Sequence, residues 1–304
     1  MSVTVRVPAK VNVQLAVGGA RPDGFHDLAN VFLAVGLYDE VTAAPADELT
    51  VTCEGPGADQ VPLDRTNLAA RAALALAERH GVEPAVHLHI VKDIPVAGGM
   101  AGGSADAAGA LLACDTLWGT NASRAELLDI CAELGSDVPF SLVGGAALGT
   151  GRGERLHSLD VGGTFHWVFA VADGGLSTPA VYREFDRLHA DGTVPEPVAS
   201  QVLLDALAKG DADGLAAFLP DSNGLQPAAL SLFPSLADTL AEGRAAGALA
   251  ALVSGSGPTT AFLTRDADTA RAVAEGLLAS GTCRAARVAA SPAPGATVIR
   301  GGRP

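Results

Sequence analysis

Residues 95–106, PVAGGMAGGSAD, place Gly98, Gly99, Gly102 and Gly103 within six positions and lead directly into the alanine-rich apolar stretch 107–118. Each glycine admits positive φ and lacks a Cβ, at a cost of roughly 0.5–1 kcal/mol of backbone entropy relative to alanine. Such a cluster belongs where backbone N–H groups must converge on something bulky, and an anion is the usual occupant. Ala107, Ala110, Leu111, Cys114 and Leu117 recur at helical spacing, so the glycines lead into a helix N-terminus, whose unpaired amides and positive dipole end favour phosphate. The stretch is therefore read as a phosphate cradle. A glycine-rich strand-to-helix turn that only permits close packing is the competing reading, and it would be preferred for a single glycine pair. No G-x-x-x-x-G-K-[ST] occurs in the chain, and the cradle's glycines do not follow G-x-G-x-x-G. Lacking the usual lysine, the cradle must find positive charge elsewhere.

A length of 304 residues suits two domains, and the 48% of hydrophobic residues, much of it Ala and Val, is ample for a core. Aromatics are only 4%, which makes each a candidate for a special role. The net charge of −14 argues against nucleic acid or an anionic membrane as partner. It leaves room for a nucleotide, which responds to local charge and amides. Cys53, Cys114, Cys131 and Cys283 are scattered without C-x-x-C or metal-ligand spacing, so reduced thiols and a cytoplasmic location are expected. The charge-free run 245–264 contains Gly247, Gly255, Gly257 and Pro258 and is read as helix, strand and loop rather than a membrane span. No signal peptide is indicated.

Along the chain, residues 2–7 alternate as a strand that Pro8 should end before a second alternating run at 13–17. Lys10 and Asn12 share a face opposite Val11 and Val13, and taken alone the pair reads as an exposed polar face. Arg21-Pro22-Asp23-Gly24 is a turn, followed by Phe25 and His26, where an adjacent aromatic makes a flat-ring site conceivable. Strands are expected at 31–35, 40–44, 49–53 and 86–91, and a helix at 68–80 stopped by Gly81. His87 and His89 have the i, i+2 spacing of a metal pair, but without a third ligand nearby they read as a solvated strand face. Ser123 and Glu126 match a capping box for a helix at 124–134. Beyond it, in Gly135-Ser136-Asp137-Val138-Pro139-Phe140, Asp137 sits on a proline-stiffened loop where its carboxylate can be aimed, an Asx turn being the plainer alternative. A second glycine-rich stretch, 144–153, should form a strand and turn near the same site.

A pattern reset places a domain boundary near 157, giving domains 1–157 and 158–304. The second half should hold strands at 165–172, 250–253, 260–263 and 284–289. Helices are expected at 179–188, 236–246 and 267–279, with one or two short ones within 202–219 and a tight glycine turn at 254–258. Strands and helices mix without strict alternation, which indicates an α+β class in both halves.

Three stretches in fixed order, PAKVN at 8–12, PVAGGMAGGSADAA at 95–108 and SGSGPT at 254–259, resemble the GHMP kinase superfamily over the whole chain. With RPDGFHDL at 21–28 and LGSDVPF at 134–140, the pattern is similar to the branch that phosphorylates a cytidine diphosphate-linked methylerythritol in the non-mevalonate isoprenoid route. The resemblance implies a two-domain architecture, an N-terminal ribosomal-protein-like β-α domain and a C-terminal ferredoxin-like domain, with the active site between them. It implies an ATP-dependent kinase acting on the 2-hydroxyl of that small molecule, with Asp137 as catalytic carboxylate and Lys10 as its partner. Pro95, Val96, Ala97, Gly98, Gly99, Met100, Ala101, Gly102, Gly103, Ser104 and Ala105 would hold the triphosphate, and Asn67, Lys92 and Asp106 would line the adenosine pocket. Asn12, Phe25 and His26 would recognise the cytidine end, Thr178 and Tyr182 would close over the base, and Gly255, Ser256 and Gly257 would flank the reacting hydroxyl. Mg2+ would bridge the phosphates, with Ser104 a candidate ligand. The protein is expected to be a monomer or homodimer. One position departs from the family, which more often has tyrosine where this chain has Phe25: the ring remains, the hydroxyl does not. The nearest alternative is a mevalonate- or homoserine-type kinase of the same superfamily. A non-catalytic nucleotide-binding sensor on the same fold is the rival from another class, and a dinucleotide-dependent oxidoreductase lacks its fingerprint.

Overall fold

The chain opens with two long antiparallel strands, β1 (Val3–Ala20) and β2 (His26–Pro45), joined by the Arg21–Gly24 turn. The structure, a computed structural model, describes residues 2–96 and 98–300. Pro8 does not end β1 as expected. The pairing moves from Pro8 with Tyr38 to Ala9 with Val35, so Gly36 and Leu37 bulge out of the partner strand and the ladder resumes past the residue that lacks an N–H. The same pairing merges the two strands expected at 31–35 and 40–44 into one.

The first sheet continues with β3 (Thr50–Glu54), β4 (Val86–Val91), β5 (Ala146–Thr150), β6 (Arg155–Ser158) and, from the far end of the chain, β11 (Thr297–Arg300). Its order is β11-β1-β2-β4-β3, with β5 also paired to β2 and β6 to β5. The second sheet, order β10-β7-β9-β8, is antiparallel and built from β7 (Phe165–Val171), β8 (Ala250–Val253), β9 (Thr260–Thr264) and β10 (Ala285–Ser291). The α+β reading holds in both halves. The chain changes sheets between Ser158 and Phe165 and returns to the first sheet at β11, a strand that short alternation did not reveal.

Helices α1 (Leu68–His80), α2 (Gly102–Trp118), α3 (Arg124–Leu134) and α4 (Val138–Val143) belong to the first half. The second half holds α5 (Thr178–Leu188), α6 (Gln201–Lys209), α7 (Ala212–Phe218), α8 (Gln226–Leu232), α9 (Leu236–Ala245) and α10 (Ala267–Ser280). Neither α4 nor α8 was expected; each is short and starts with a proline in its first turn, where the missing N–H is harmless. None of the described helices is long and apolar enough to cross a membrane.

Helix α2 lies across β1 and β2 and is buried along most of its length, which explains its alanines: a thicker side chain would push it off the sheet. At Gly109 the approach is closest, since a Cβ there would lie 2.9 Å from Cγ2 of both Val7 and Val41. The other face of β1, which bears Lys10 and Asn12, is not exposed either. Both residues are buried, and a Cβ on Gly255, in the turn between β8 and β9, would lie within 3.2 Å of Lys10 Nζ and 3.0 Å of Asn12 Oδ1.

Substituting Gly109 by valine should overpack this contact and lower unfolding free energy by about 1–3 kcal/mol, read as a lower denaturant midpoint at unchanged slope.

Candidate active site

The glycine stretch is shorter as a loop than its spacing suggested, because α2 already begins at Gly102. Ala101 is the helix N-cap and carries a positive φ of 63°, uncommon for a residue with a Cβ. Gly102 and Gly103 then form the first turn, whose amides have no intrahelical partner. Ahead of them the loop sits against the turn 254–259. At Gly99, φ is 74° and a Cβ would lie 2.2 Å from the Ser254 carbonyl oxygen; at Gly98 a Cβ would lie 2.7 Å from Thr259 Oγ1. Two donors reach the Gly99 carbonyl oxygen, Lys10 Nζ at 2.8 Å and Ser254 Oγ at 3.1 Å. Three stretches far apart in sequence thus meet here, and the cation missing from the loop arrives from β1.

Lys10 Nζ also donates to Asn12 Oδ1 at 2.6 Å, and Asn12 Nδ2 in turn donates to Asn30 Oδ1 at 2.7 Å. Asp137 Oδ2 lies 3.7 Å from the same ammonium, whose side chain is only 5% exposed against 33% for the aspartate. Burial is the largest influence on Lys10 and brings its pKa below the ordinary lysine value, although Asp137 acts in the opposite sense. Asp137 does not lie on an extended loop: it is the N-cap of α4, with Pro139 in the first turn, and its side chain makes no capping hydrogen bond. Its carboxylate is therefore held at a rigid position yet left unused by the helix it starts.

Both groups face a cavity of about 720 Å³ between the two sheets. Of the residues expected at the site, Lys10, Asn12, Phe25, His26, Gly98, Gly99, Ala101, Gly102, Gly103, Ser104, Asp137, Thr178, Tyr182, Gly255, Ser256 and Gly257 line it. Phe25 is 48% exposed and lies beneath the Arg152 guanidinium, whose carbon is 4.9 Å from the ring centroid. His26 is buried, with Nε2 2.8 Å from Asp186 Oδ1 and its ring 4.9 Å from that of Tyr182. Burial, with Asp137 adding to it, pushes the Tyr182 phenol pKa well above its usual range, so this hydroxyl stays protonated. Thr178 Oγ1 and Ser256 Oγ, 2.9 Å apart, join α5 to the glycine turn.

Sequence reasoning missed Asn30, Arg152, Arg183 and Asp186, which also line the cavity. Arg152 carried a signal, as the one cation inside the second glycine-rich stretch. Asp186 carried none, being one of several charges on the exposed side of an amphipathic helix.

Other expected site residues lie behind the cavity wall. Asn67 is the N-cap of α1: its Oδ1 accepts from the Ala69 amide at 2.8 Å while Nδ2 donates to the Pro62 carbonyl at 2.7 Å. Lys92 and Asp106 are buried together under α2, where Lys92 Nζ donates to Asp106 Oδ2 at 2.8 Å and also to Asp39 Oδ2. Burial lowers the Lys92 pKa, but the two carboxylates together outweigh it and the net shift is upward; for Asp106 burial dominates and raises the carboxyl. Met100 and Ala105 are buried and Pro95 and Val96 half-buried, none of them on the cavity wall, and Ala97 lies outside the described residues. His87 bonds with Thr50 and Thr52, and His89 with Thr52, across the β3–β4 face.

Residues 67–145 match the sequence model of the GHMP kinases N terminal domain, and residues 203–282 that of the GHMP kinases C terminal domain. A 4-diphosphocytidyl-2-C-methyl-D-erythritol kinase of Streptomyces avermitilis is 87% identical over 98% of this chain and 100% of its own. The enzyme of the same name from Streptomyces coelicolor is 77% identical over 98% and 100%. A crystal structure of 4-(cytidine 5'-diphospho)-2C-methyl-D-erythritol kinase is 33% identical and superposes with a TM-score of 0.75 over 94% of this chain and 98% of that one. A homoserine kinase of Cytophaga hutchinsonii superposes equally well, TM-score 0.76 over 98% and 97%, but at 20% identity it speaks for the fold alone. With both halves matched and relatives this similar along their whole length, the chain belongs to the GHMP kinases, in the family of the 4-diphosphocytidyl-2-C-methyl-D-erythritol kinases.

Proposed function

We propose that the chain transfers the γ-phosphoryl group of ATP to the 2-hydroxyl of 4-diphosphocytidyl-2-C-methyl-D-erythritol, with the chemistry at Asp137. The observation that carries the site assignment is the Lys10–Asp137 pair, 3.7 Å apart, on a cavity whose wall includes the amide-rich start of α2. Full-length relatives of that name supply the substrate identity. A mevalonate- or homoserine-type acceptor is not favoured, since structures bearing those names resemble this chain at 16%, 20% and 24% identity.

Phosphoryl transfer passes through a loose, highly charged transition state and needs positioning and charge stabilisation more than covalent help. The triphosphate would lie against Gly98, Gly99 and the first turn of α2, where free amides stabilise equatorial phosphate oxygens. Asp137 would orient the acceptor hydroxyl and take its proton as the new P–O bond forms and the bond to the ADP oxygen breaks. Lys10, fixed by Asn12 and Gly99, offsets charge on the group in flight. The cytidine end would lie between Phe25 and Tyr182, with Arg152 and Arg183 as the cations nearest a diphosphate.

Among the described residues no three His, Cys, Asp or Glu side chains converge into a protein-built metal site. That suits a magnesium ion held mainly by phosphate oxygens and water, with the Ser104 hydroxyl as its side-chain ligand. When bound, it would neutralise phosphate charge.

Asp137→Ala should lower kcat by at least ~100-fold, the low end for a general base, while isothermal titration with a non-hydrolysable ATP analogue gives an unchanged Kd. Wild-type-like turnover would remove Asp137 from the mechanism. Cytidine diphosphate should compete with the acceptor substrate, and Phe25→Ala should weaken that inhibition; a mevalonate-type enzyme would ignore the nucleotide. Finally, Lys10 is charged below its pKa and burial has lowered that pKa. Activity should therefore be lost as pH rises through a value under the ordinary lysine range. In Lys10→Arg, whose guanidinium stays protonated, the alkaline limb of kcat/KM should move to higher pH; a limb that stays put assigns it to another group.

A further inference from the structure

Asp39 lies on β2, its side chain fully buried and far in sequence from every motif of the site. One carboxylate oxygen, Oδ1, accepts two backbone N–H groups, from Asp93 at 2.7 Å and Ile94 at 2.9 Å, where the chain leaves β4 for the glycine loop. The other, Oδ2, accepts a hydrogen bond from Lys92 Nζ, which also donates to Asp106 Oδ2, 2.8 Å away in α2. One carboxylate therefore holds both the start of the loop and, through a single ammonium, the helix turn that follows it. That ammonium lies directly beneath the first helical residue: a Cβ on Gly102 would be 3.1 Å from Lys92 Nζ.

The cluster is an expensive way to fill a core. Buried ion pairs are often no more stable than apolar residues of the same volume, and here Asp106 Oδ1 is buried without a hydrogen-bond partner among the described residues. Its formal charge, one positive against two negative, has the wrong sign to attract phosphate. What it provides is geometry: the loop 95–101 is tied at both ends to the sheet, so the amides of Gly102 and Gly103 face the cavity before any ligand arrives. Pre-ordering of this kind lowers the entropy lost on binding.

We infer that Asp39 is the positioning residue of the nucleotide-phosphate loop, acting on it through Lys92, Asp106 and the amides of Asp93 and Ile94. The inference rests on the loop being the ATP site, which binding of AMP-PNP to the unaltered chain tests by itself: no binding there removes the site assignment, whatever Asp39 does. Given binding, the test is Asp39→Asn, which keeps an acceptor for the two amides but loses the charge that holds Lys92. The Kd for AMP-PNP and the KM for ATP should rise about tenfold or more, with kcat at saturating ATP and the Kd for cytidine diphosphate within about twofold of wild type. Asp106→Asn, which releases the same ammonium from the helix side, should show the same split. The double variant should lose less than the product of the two single losses, because both act through Lys92. Equal weakening of AMP-PNP and cytidine diphosphate, a lower Tm with AMP-PNP affinity unchanged, full independence in the double variant, or failure of both single variants to fold would each overturn the inference in favour of a purely structural cluster.

Discussion

The carbonyl oxygen of Gly99 is the point on which the site depends. It accepts Lys10 from the first strand and Ser254 from the turn between β8 and β9, while Gly98 accepts the Thr259 amide at 3.3 Å. A Cβ on Gly99 would lie 2.2 Å from the Ser254 carbonyl oxygen and its φ is positive, which is why a glycine stands there. The same bonds that shape the glycine loop also join the two sheets at the cavity. Loop geometry and the relative placement of the halves are therefore one problem, solved by one set of contacts.

Electrostatics at the site are local and run against the protein as a whole. A net charge of −14 would repel a polyphosphate, but charges beyond about 8 Å are largely screened at physiological ionic strength. The cavity wall itself carries Lys10, Arg152 and Arg183 against Asp137 and Asp186, together with the helix-start residues Gly102 and Gly103. Lys10 illustrates the compromise involved. Burial lowers its pKa and the Asp137 carboxylate, 3.7 Å away, opposes that shift, so its charge rests on a neighbouring side chain rather than on solvent.

The cradle, the helix that follows it and the turn at 254–258 were legible because each rests on local rules: glycine freedom, helical spacing, and a proline that closes a turn. Helix α1 and its stop at Gly81 were legible for the same reason, with Gly81 in the left-handed region at φ 63°. Lys10 and Asn12 were not readable as buried. Alternation on β1 says which residues share a face, not which face is covered, and it is the packing of the 254–257 turn that covers this one. Asp137 was expected on a stiff loop and instead caps a helix, since a six-residue helix with proline in its first turn looks locally like such a loop. Pro8 misled because its missing N–H matters only if the partner strand keeps register, and here the partner bulges.

By itself the sequence determined which segments would be strands and helices over most of the chain, where the glycine loop opens a helix, and, through motif order, the family. Those properties follow from interactions within a few residues of one another. Only the tertiary structure decided that Lys92 and Asp106 lie behind the loop with Asp39, that Arg152 covers Phe25, and that β11 returns to the first sheet. Each of those facts is a pairing across 14 to nearly 300 residues. Such a pairing is set by packing and charge compensation in three dimensions, and no local pattern encodes it.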